Sequence, residues 1–570
     1  MSTTGSALLA RLRSKPKPKP HSKPKSKPKS KKHRPKKDPK RPTKPKAKPK
    51  PKPKPKPKPK PKPKPKPKPK PKPKPKPITP QVPATTDTYA PGSYPRTQVL
   101  DPQARHLVNR FSYGITAALA DDVRAAGGHL AWFDAQLATA YDGSADDLCD
   151  WFPDLHREPA DVYQRSSTGV RGGWEVGNDY ARRATLRRIV SPRQVLEVMT
   201  EFWENHFHVP AAADNNFVFR ASYGELIRAA ALGRFEDLLT TAVLHPAMLF
   251  YLGAHASTKT KPNENLGREL LELHTVGIGS YGEDDVKASA RILTGYKVDA
   301  YRTWAASYET SWHWTGAVRV MGFSDANASA DGRPVMQRYL SYLAHHPGTA
   351  RRIATKLALA FVSDTPPESL VTRLAQVYLD HDTAIVPVLQ ALVRSAEFAA
   401  AVDAKLRDGD EDVAAAYRLL GVQVAPPTTS ESGANQILWQ VGSLGLAPFA
   451  WPRPDGQPVD NASWASPTRV IASMSVHWSL AGGWWPKQDT SYRAPASWRP
   501  QTTPLPFRDL VDHLSRLLLQ RPSTAGLLQA CCEAAEQKPT STVSASSDIY
   551  DWRWPRLVAV FLDSPEFYAR

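Results

Sequence analysis

Acids, imidazoles and amides crowd the stretch between Glu201 and Asp285 more densely than any other part of the chain. In Glu201-Phe-Trp-Glu-Asn-His-Phe-His208 a helical register sets Glu201 beside Glu204 and Asn205, while Phe202 and His206 share another stripe. In Asn263-Glu-Asn-Leu-Gly-Arg-Glu-Leu-Leu-Glu-Leu-His-Thr-Val-Gly277, Glu264, Arg268 and Glu272 recur every fourth residue and Glu269 lies three before Glu272. Leu266, Leu270, Leu273 and Val276 make the expected buried face, so the acids flank the core side and can reach a shared cleft. The corresponding chemistry is metal-assisted or acid–base hydrolysis. Glu204, His206 and Glu264 are the candidate ligands of a divalent metal, and Glu269, Glu272 and His313 the candidate catalytic groups. Arg268 and Arg291 are the cations to orient an anionic substrate.

A structural reading competes with this one. Arg268 can pair with Glu264 or Glu272, with Asn263 and Asn265 capping and bracing the helix. The spacing is not Glu-x-x-His: Glu204 and His206, like Glu272 and His274, are two apart and face different ways. A lone histidine such as His106, His245 or His274 serves packing more often than ligation. Gly277-Ile-Gly-Ser-Tyr-Gly282 follows a helix, not a strand, and lacks a Lys-Ser/Thr ending, so it reads as a helix end and turn rather than a phosphate loop. No Gly-x-Ser-x-Gly, His-Glu-x-x-His or EF-hand pattern occurs in the body. Cys149, Cys531 and Cys532 have neither metal spacing nor the number for a disulfide framework.

The elements that must position these groups are helical. Asp101-Pro102 and Ser191-Pro192 read as helix starts, and helices are expected over 219–232, 235–243, 347–361, 368–379 and 385–398. No sustained period-2 alternation appears. The expected fold is mainly α, a multi-helix orthogonal or bundle-like body with long irregular loops rich in Trp, Gly and Pro. One such loop covers 300–334, with Trp304, Trp312, His313 and Trp314 and a short alternation at 317–321 that predicts a hairpin. Another covers 447–498 and holds Trp451, Trp464, Trp478, Trp484 and Trp485, residues that either line a glycan or peptide groove or pack irregular loops on the body. Leu392-Val-Arg-Ser-Ala-Glu-Phe398 echoes Phe561-Leu-Asp-Ser-Pro-Glu-Phe567, the simplest account being two similar helix endings.

Charge separates the body from what precedes it. Residues 1–80 carry 33 Lys or Arg and one acid, Asp38, whereas the other 490 residues sum to −8. Proline alternates with lysine without interruption over 49–77, a pattern that excludes helix, strand and core and predicts a disordered or polyproline II arm. At about 3.1 Å per residue that run extends roughly 90 Å. Lys50, Lys52, Lys54, Lys56, Lys58, Lys60, Lys62, Lys64, Lys66, Lys68, Lys70, Lys72, Lys74 and Lys76 are the expected contacts to an anionic polymer, nucleic acid or cell-wall polymer, bound without sequence specificity. Residues 81–97 read as a linker and 98–570 as the helical domain, with a division into two subdomains expected near 400–430. The apolar patch at Ala7, Leu8, Leu9 and Ala10 is too short for an ordinary secretory signal, and no membrane-spanning segment is expected. From these features alone a cytoplasmic location is the expectation.

An ordered series of blocks carries a resemblance. They are His106-Leu-Val-Asn-Arg-Phe-Ser-Tyr-Gly114, Phe202-Trp-Glu-Asn-His-Phe207, His245-Pro-Ala-Met-Leu249, the run 263–277, Tyr281, Asp285-Val286, Ala290-Arg-Ile-Leu-Thr-Gly-Tyr296 and His346-Pro-Gly-Thr-Ala-Arg351. In these the chain resembles the bacterial family known as domain of unknown function 1800 (DUF1800). The resemblance implies a mostly helical body, a cell-envelope or secreted setting, a partner from a family similar to sulfatases and phosphatases, and no assigned reaction. Two departures stand out. Trp314 occupies a place where relatives tend to have Asp after His, and Pro452-Arg-Pro-Asp-Gly-Gln457 replaces a Pro-Pro-x-Val-x-Gly-Trp pattern. Two functions are therefore expected as alternatives: an interaction or scaffold protein attached by its basic arm, or a hydrolase acting on an envelope ester or glycan.

Overall fold

The computed structural model describes residues 96–138, 143, 145–211 and 213–570. The expectations for the lysine–proline arm and its contacts, Lys50 to Lys76, and for nearly all of the linker, lie outside the described residues.

Helix-start chemistry in the sequence becomes helix in the structure. The Asp101 carboxylate accepts from the amides of Gln103 and Ala104 at 3.0 and 2.9 Å and, with Pro102 in the first turn, opens helix Pro102–Arg110. Helix Pro347–Phe361 begins on the His346 imidazole, which accepts from Gly348. Three expectations shift. Ser191-Pro192 forms a turn and the helix starts later, at Gln194. Its side chain is engaged with Tyr113, Arg188 and Ser191. The run expected over 385–398 is two helices, Ile385–Val393 and Ala396–Ala400, because the Ser395 hydroxyl caps a second start.

The third shift matters for chemistry. The 263–277 block is not one α-helix: helix Glu264–Glu269 runs into a π-helical turn, Leu270–His274. The wider turn moves the buried stripe by one position, so Leu266, Leu270, Leu271 and His274 face the core and Leu273 is only half-buried.

The body is mainly α, with four two-stranded antiparallel ribbons among the described residues. One pairs Val318–Val320 with Phe323–Asp325, the hairpin expected in the 300–334 loop. The helices share one apolar core running from Leu100 to Tyr568. Phe111 shows how distant segments meet in it, stacked on Phe361 at 4.5 Å and edge-on to Phe133 at 4.8 Å. Removing such a side chain costs about 3–5 kcal/mol. Helix Gly409–Leu420 runs through the stretch where a division was expected. Its run Val413-Ala-Ala-Ala-Tyr417 is wholly buried, the alanines admitting helices Gly173–Val190 and Pro467–Ala481 to close packing. Helix Pro467–Ala481 in turn packs on Trp554–Leu562. A smaller apolar cluster of Tyr180, Ala181, Ala211, Leu438 and Phe449 lies beside these helices and anchors the loop that follows Ser443.

Candidate active site

The expected site residues fall into three separate settings. Glu204, on helix Gln194–His206, is 2 % exposed, pairs with Arg220 and accepts from the Tyr180 hydroxyl at 2.6 Å. Gly224 leaves room for this contact, since a Cβ there would stand 1.6 Å from the Tyr180 oxygen. Arg268 forks onto Glu283 with two 2.8 Å bonds and stands 3.8 Å from Glu264, which is exposed. Glu272 accepts from Tyr281 at 2.6 Å. Glu269 makes no ion pair or hydrogen bond among the described residues, and burial together with the Glu272 carboxylate raises its pKa.

The second setting is the histidine pair. Each ring donates to the other's backbone carbonyl at 3.2 Å: His206 through Nε2 to His274, and His274 through Nδ1 to His206. The free Nδ1 of His206 accepts from Lys356 Nζ at 3.0 Å. Burial lowers the Lys356 pKa to about 7, helped by Arg352 and opposed by Asp455. Both rings are held neutral by burial, and His206 has no lone pair left to meet Glu204 or Glu264 at a common ion. The third setting is the 300–334 loop. His313 is 2 % exposed, with Nε2 against Asn327 Oδ1 at 2.8 Å and Nδ1 against the Thr294 carbonyl at 3.0 Å, so both nitrogens serve to pin the loop. Arg291 stacks on Trp314 at 4.8 Å, a contact that the departure to Trp at this place makes available.

Carboxylates converge elsewhere. Two adjoining cavities of about 30 and 70 Å³ share Glu201, Asn205, Asp408, Gln457 and Trp464 as walls, with Glu204 and Asp410 lining one and Glu411 the other. They have room for roughly one to a few waters. Five carboxylates here face three guanidiniums: Arg188 bridges Asp410 and Glu201, Arg220 holds Glu204, and Arg570 holds Glu411. Glu201 also accepts from the Tyr113 hydroxyl at 2.5 Å. Asp408 alone has no ion pair among the described residues. It caps helix Gly409–Leu420, taking the Asp410 and Glu411 amides on Oδ1 at 3.0 and 2.9 Å, and Oδ2 accepts from Gln457 Nε2 at 3.1 Å. Those donors favour its anion, but burial and the neighbouring Glu411 and Glu201 charges outweigh them and push its pKa up to about 8. The site thus favours the protonated form of Asp408 more than water favours that of an ordinary aspartate.

The roof is the loop after Ser443. His208 Nε2 meets the Trp451 carbonyl at 2.7 Å, and Asn205 and Gln457 exchange two bonds of 3.0 and 2.7 Å. Lys405 holds the Val459 carbonyl at 2.7 Å. Gly456, at φ +79°, lies so close that a Cβ would stand 2.2 Å from the Asn205 carbonyl. The roof is thus pinned at several points. On its far side Trp451 and Trp464 line an open groove of about 410 Å³, sharing Leu446 and Pro458 with the cavities.

Two other clusters look chemical and are structural. Asp412, His477 and Ser473 have the residue types of a hydrolase triad, yet all three are fully buried. His477 lies between Asp412 at 2.7 Å and Asp563 at 2.8 Å. Burial pulls its pKa down, but the two carboxylates win and raise it to about 9. Among the described residues, the grouping with metal-ligand proximity is Glu236, His345 and Asp382. Arg234 already occupies it, at 2.6 Å from Glu236 and 2.9 Å from Asp382.

Asp408, Asp410, Glu411, Arg188, Tyr113 and Gln457 were not among the residues expected from the sequence. One signal was available: Arg407-Asp-Gly-Asp-Glu-Asp412 puts four acids immediately before Val413-Ala-Ala-Ala, and acids leading straight into an all-apolar helix must themselves be drawn inward. Among the described residues no helix is long and apolar enough to cross a membrane. No curated protein and no solved structure matches the chain. Residues 106–569 match the family described as a protein of unknown function (DUF1800), and the chain therefore belongs to that family.

Proposed function

We propose that the body is an acid–base hydrolase of glycosidic bonds, with Asp408 as general acid and Glu201 as general base. One observation carries this reading: Asp408 is the unpaired member of a five-carboxylate cluster and lines a water-sized cavity. A protonated acid beside an ionisable partner is the arrangement that splits acid and base roles between two carboxyls. In the reaction the Asp408 proton passes to the leaving oxygen as the C–O bond breaks. Water adds its oxygen to the sugar carbon and gives its proton to Glu201. Tyr113 and Arg188 orient Glu201, and Gln457 orients Asp408. The Trp451–Trp464 groove offers indole faces to sugar rings outside the cavity. The lysine–proline arm, by composition, attaches the body to an anionic polymer.

The test is release of reducing ends from purified bacterial wall polysaccharides. The wild-type chain should release them and Asp408→Asn should not. No release by the wild type, or equal release by the variant, sinks the reading. A scaffold without catalysis is the second reading, favoured by the small cavities and by the pairing of Glu204, Asp410 and Glu411 with arginines. It predicts attachment through the arm and no bond cleavage in the same assay.

A further inference from the structure

Apart from the acid cavities, a groove of about 610 Å³ lies between the start of helix Gly173–Val190 and helix Gly433–Ser443. Its volume is in the range of ligand sites, about 300–1,000 Å³. Two tryptophans line it, Trp174 and Trp439, 63 and 64 % exposed, an expensive arrangement for indoles that nothing in the fold requires. Both are held in place. The Trp174 indole folds over Gly172, where a Cβ would meet its Nε1 at 2.7 Å, and Trp439 rests edge-on against Trp485 at 5.2 Å. Each stands on a helix, so its position is fixed by the core.

Amides fill the space between them. The Asn178 side chain makes no hydrogen bond among the described residues. Asn435 and Gln436 donate to the Thr429 and Ser430 carbonyls at 2.7 Å, which leaves their own side-chain oxygens as acceptors. The guanidiniums in the wall carry no unanswered charge: Arg171 is tied to Asp154, Glu175 and Asp179, and Arg182 to Asp179 at 2.5 Å. A phosphate or carboxylate ligand would have to compete with these acids. The lining suits a neutral chain with flat apolar faces and many hydroxyls.

We propose that this groove is a binding platform for a neutral polysaccharide strand, with Trp174 and Trp439 stacking on sugar faces and Asn178, Asn435 and Gln436 reading hydroxyls. Ala447 lines the platform and its chain neighbours Leu446 and Pro448 line the acid cavity, so one loop forms a wall of both. In that respect the platform deepens the glycosidase reading, which it extends to a polymeric substrate. Its binding stands without catalysis.

The experiment is an immobilised array of neutral and acidic oligosaccharides, probed with the full chain at about 0.5 M salt, where contacts through the lysine arm are suppressed. The wild type should be retained on neutral oligosaccharides. Trp174→Ala and Trp439→Ala should each weaken retention about tenfold. Both side chains are exposed, so thermal unfolding should barely move. Asp408→Asn should bind like wild type. Retention on no neutral glycan, retention on acidic ones alone, or retention indifferent to both tryptophan variants overturns the platform. Neutral-glycan binding that depends on the tryptophans, with no cleavage by the wild type, keeps the platform and discards the hydrolase.

Discussion

Asp408 and Asp412 stand one turn apart at the start of the same helix, and the protein treats them oppositely. Asp412 is wholly enclosed by Arg469, Ser473 and His477, and its pKa is lowered, the charges around it overcoming burial. Asp408 has backbone amides and one glutamine, no ion pair among the described residues, only a minor lowering influence from Arg570, and a raised pKa. Burial is common to both. A partner cation decides which carboxylate becomes a structural anion and which a stored proton, and the unpaired one is the one that lines a cavity.

The sharpest way to break the comparison is to remove His477, one of the two cationic partners of Asp412, leaving Arg469 in place. His477→Ala leaves Asp412 and Asp563 facing a hole, and a broken buried pair costs about 3–5 kcal/mol. Urea unfolding should report it, and a small loss would make Asp412 no different from Asp408. Asp408→Asn should act in the opposite sense. Asparagine caps a helix as well as aspartate does, so the fold should survive while the proposed cleavage falls about 10²- to 10⁴-fold.

The pH profile separates the two sites more finely. Asp408 binds its proton more tightly folded than unfolded, so stability drops as pH rises from about 4, its unfolded pKa, to about 8. The Tm of Asp408→Asn should therefore gain on the wild type across that interval, and parallel curves would show that Asp408 titrates normally. His477 also has a raised pKa, and its contribution should be complete below about 6.5 and lost as pH passes 9. The smallest effect is expected at Arg268, whose pairing with Glu283 is exposed. Arg268→Ala should shift Tm within about 1 °C.

Local chemistry made much of the fold legible. A proline-led start such as Asp101-Pro102, or the apolar spacing over 347–361, needs only its own neighbours to be interpreted. Glu269 and Glu272 lie in one acid-rich motif and His313 in a tryptophan-rich loop, and local density of such groups does not report their partners. Glu204 met Arg220 from the next helix, and His313 met Asn327 across a loop. The cavity depends on Glu201, Asp408 and Gln457, which are spread over more than 250 residues. No spacing rule links such positions. Only Asn205, which shares a motif with Glu201 and bonds Gln457, hinted that the first block faces something distant.

The π-helical turn at Leu270–His274 acts as a phase shift between the two ends of its helix. Deleting one residue within it would restore an ordinary α-helix with an unbroken ladder, a change that looks harmless in any count of hydrogen bonds. It would also turn everything beyond the deletion by about 100°. His274 would swing off the His206 carbonyl, and Glu272 would leave Tyr281. In this segment an insertion or deletion is more damaging than most substitutions, because its one surplus residue keeps two faces of the protein in register.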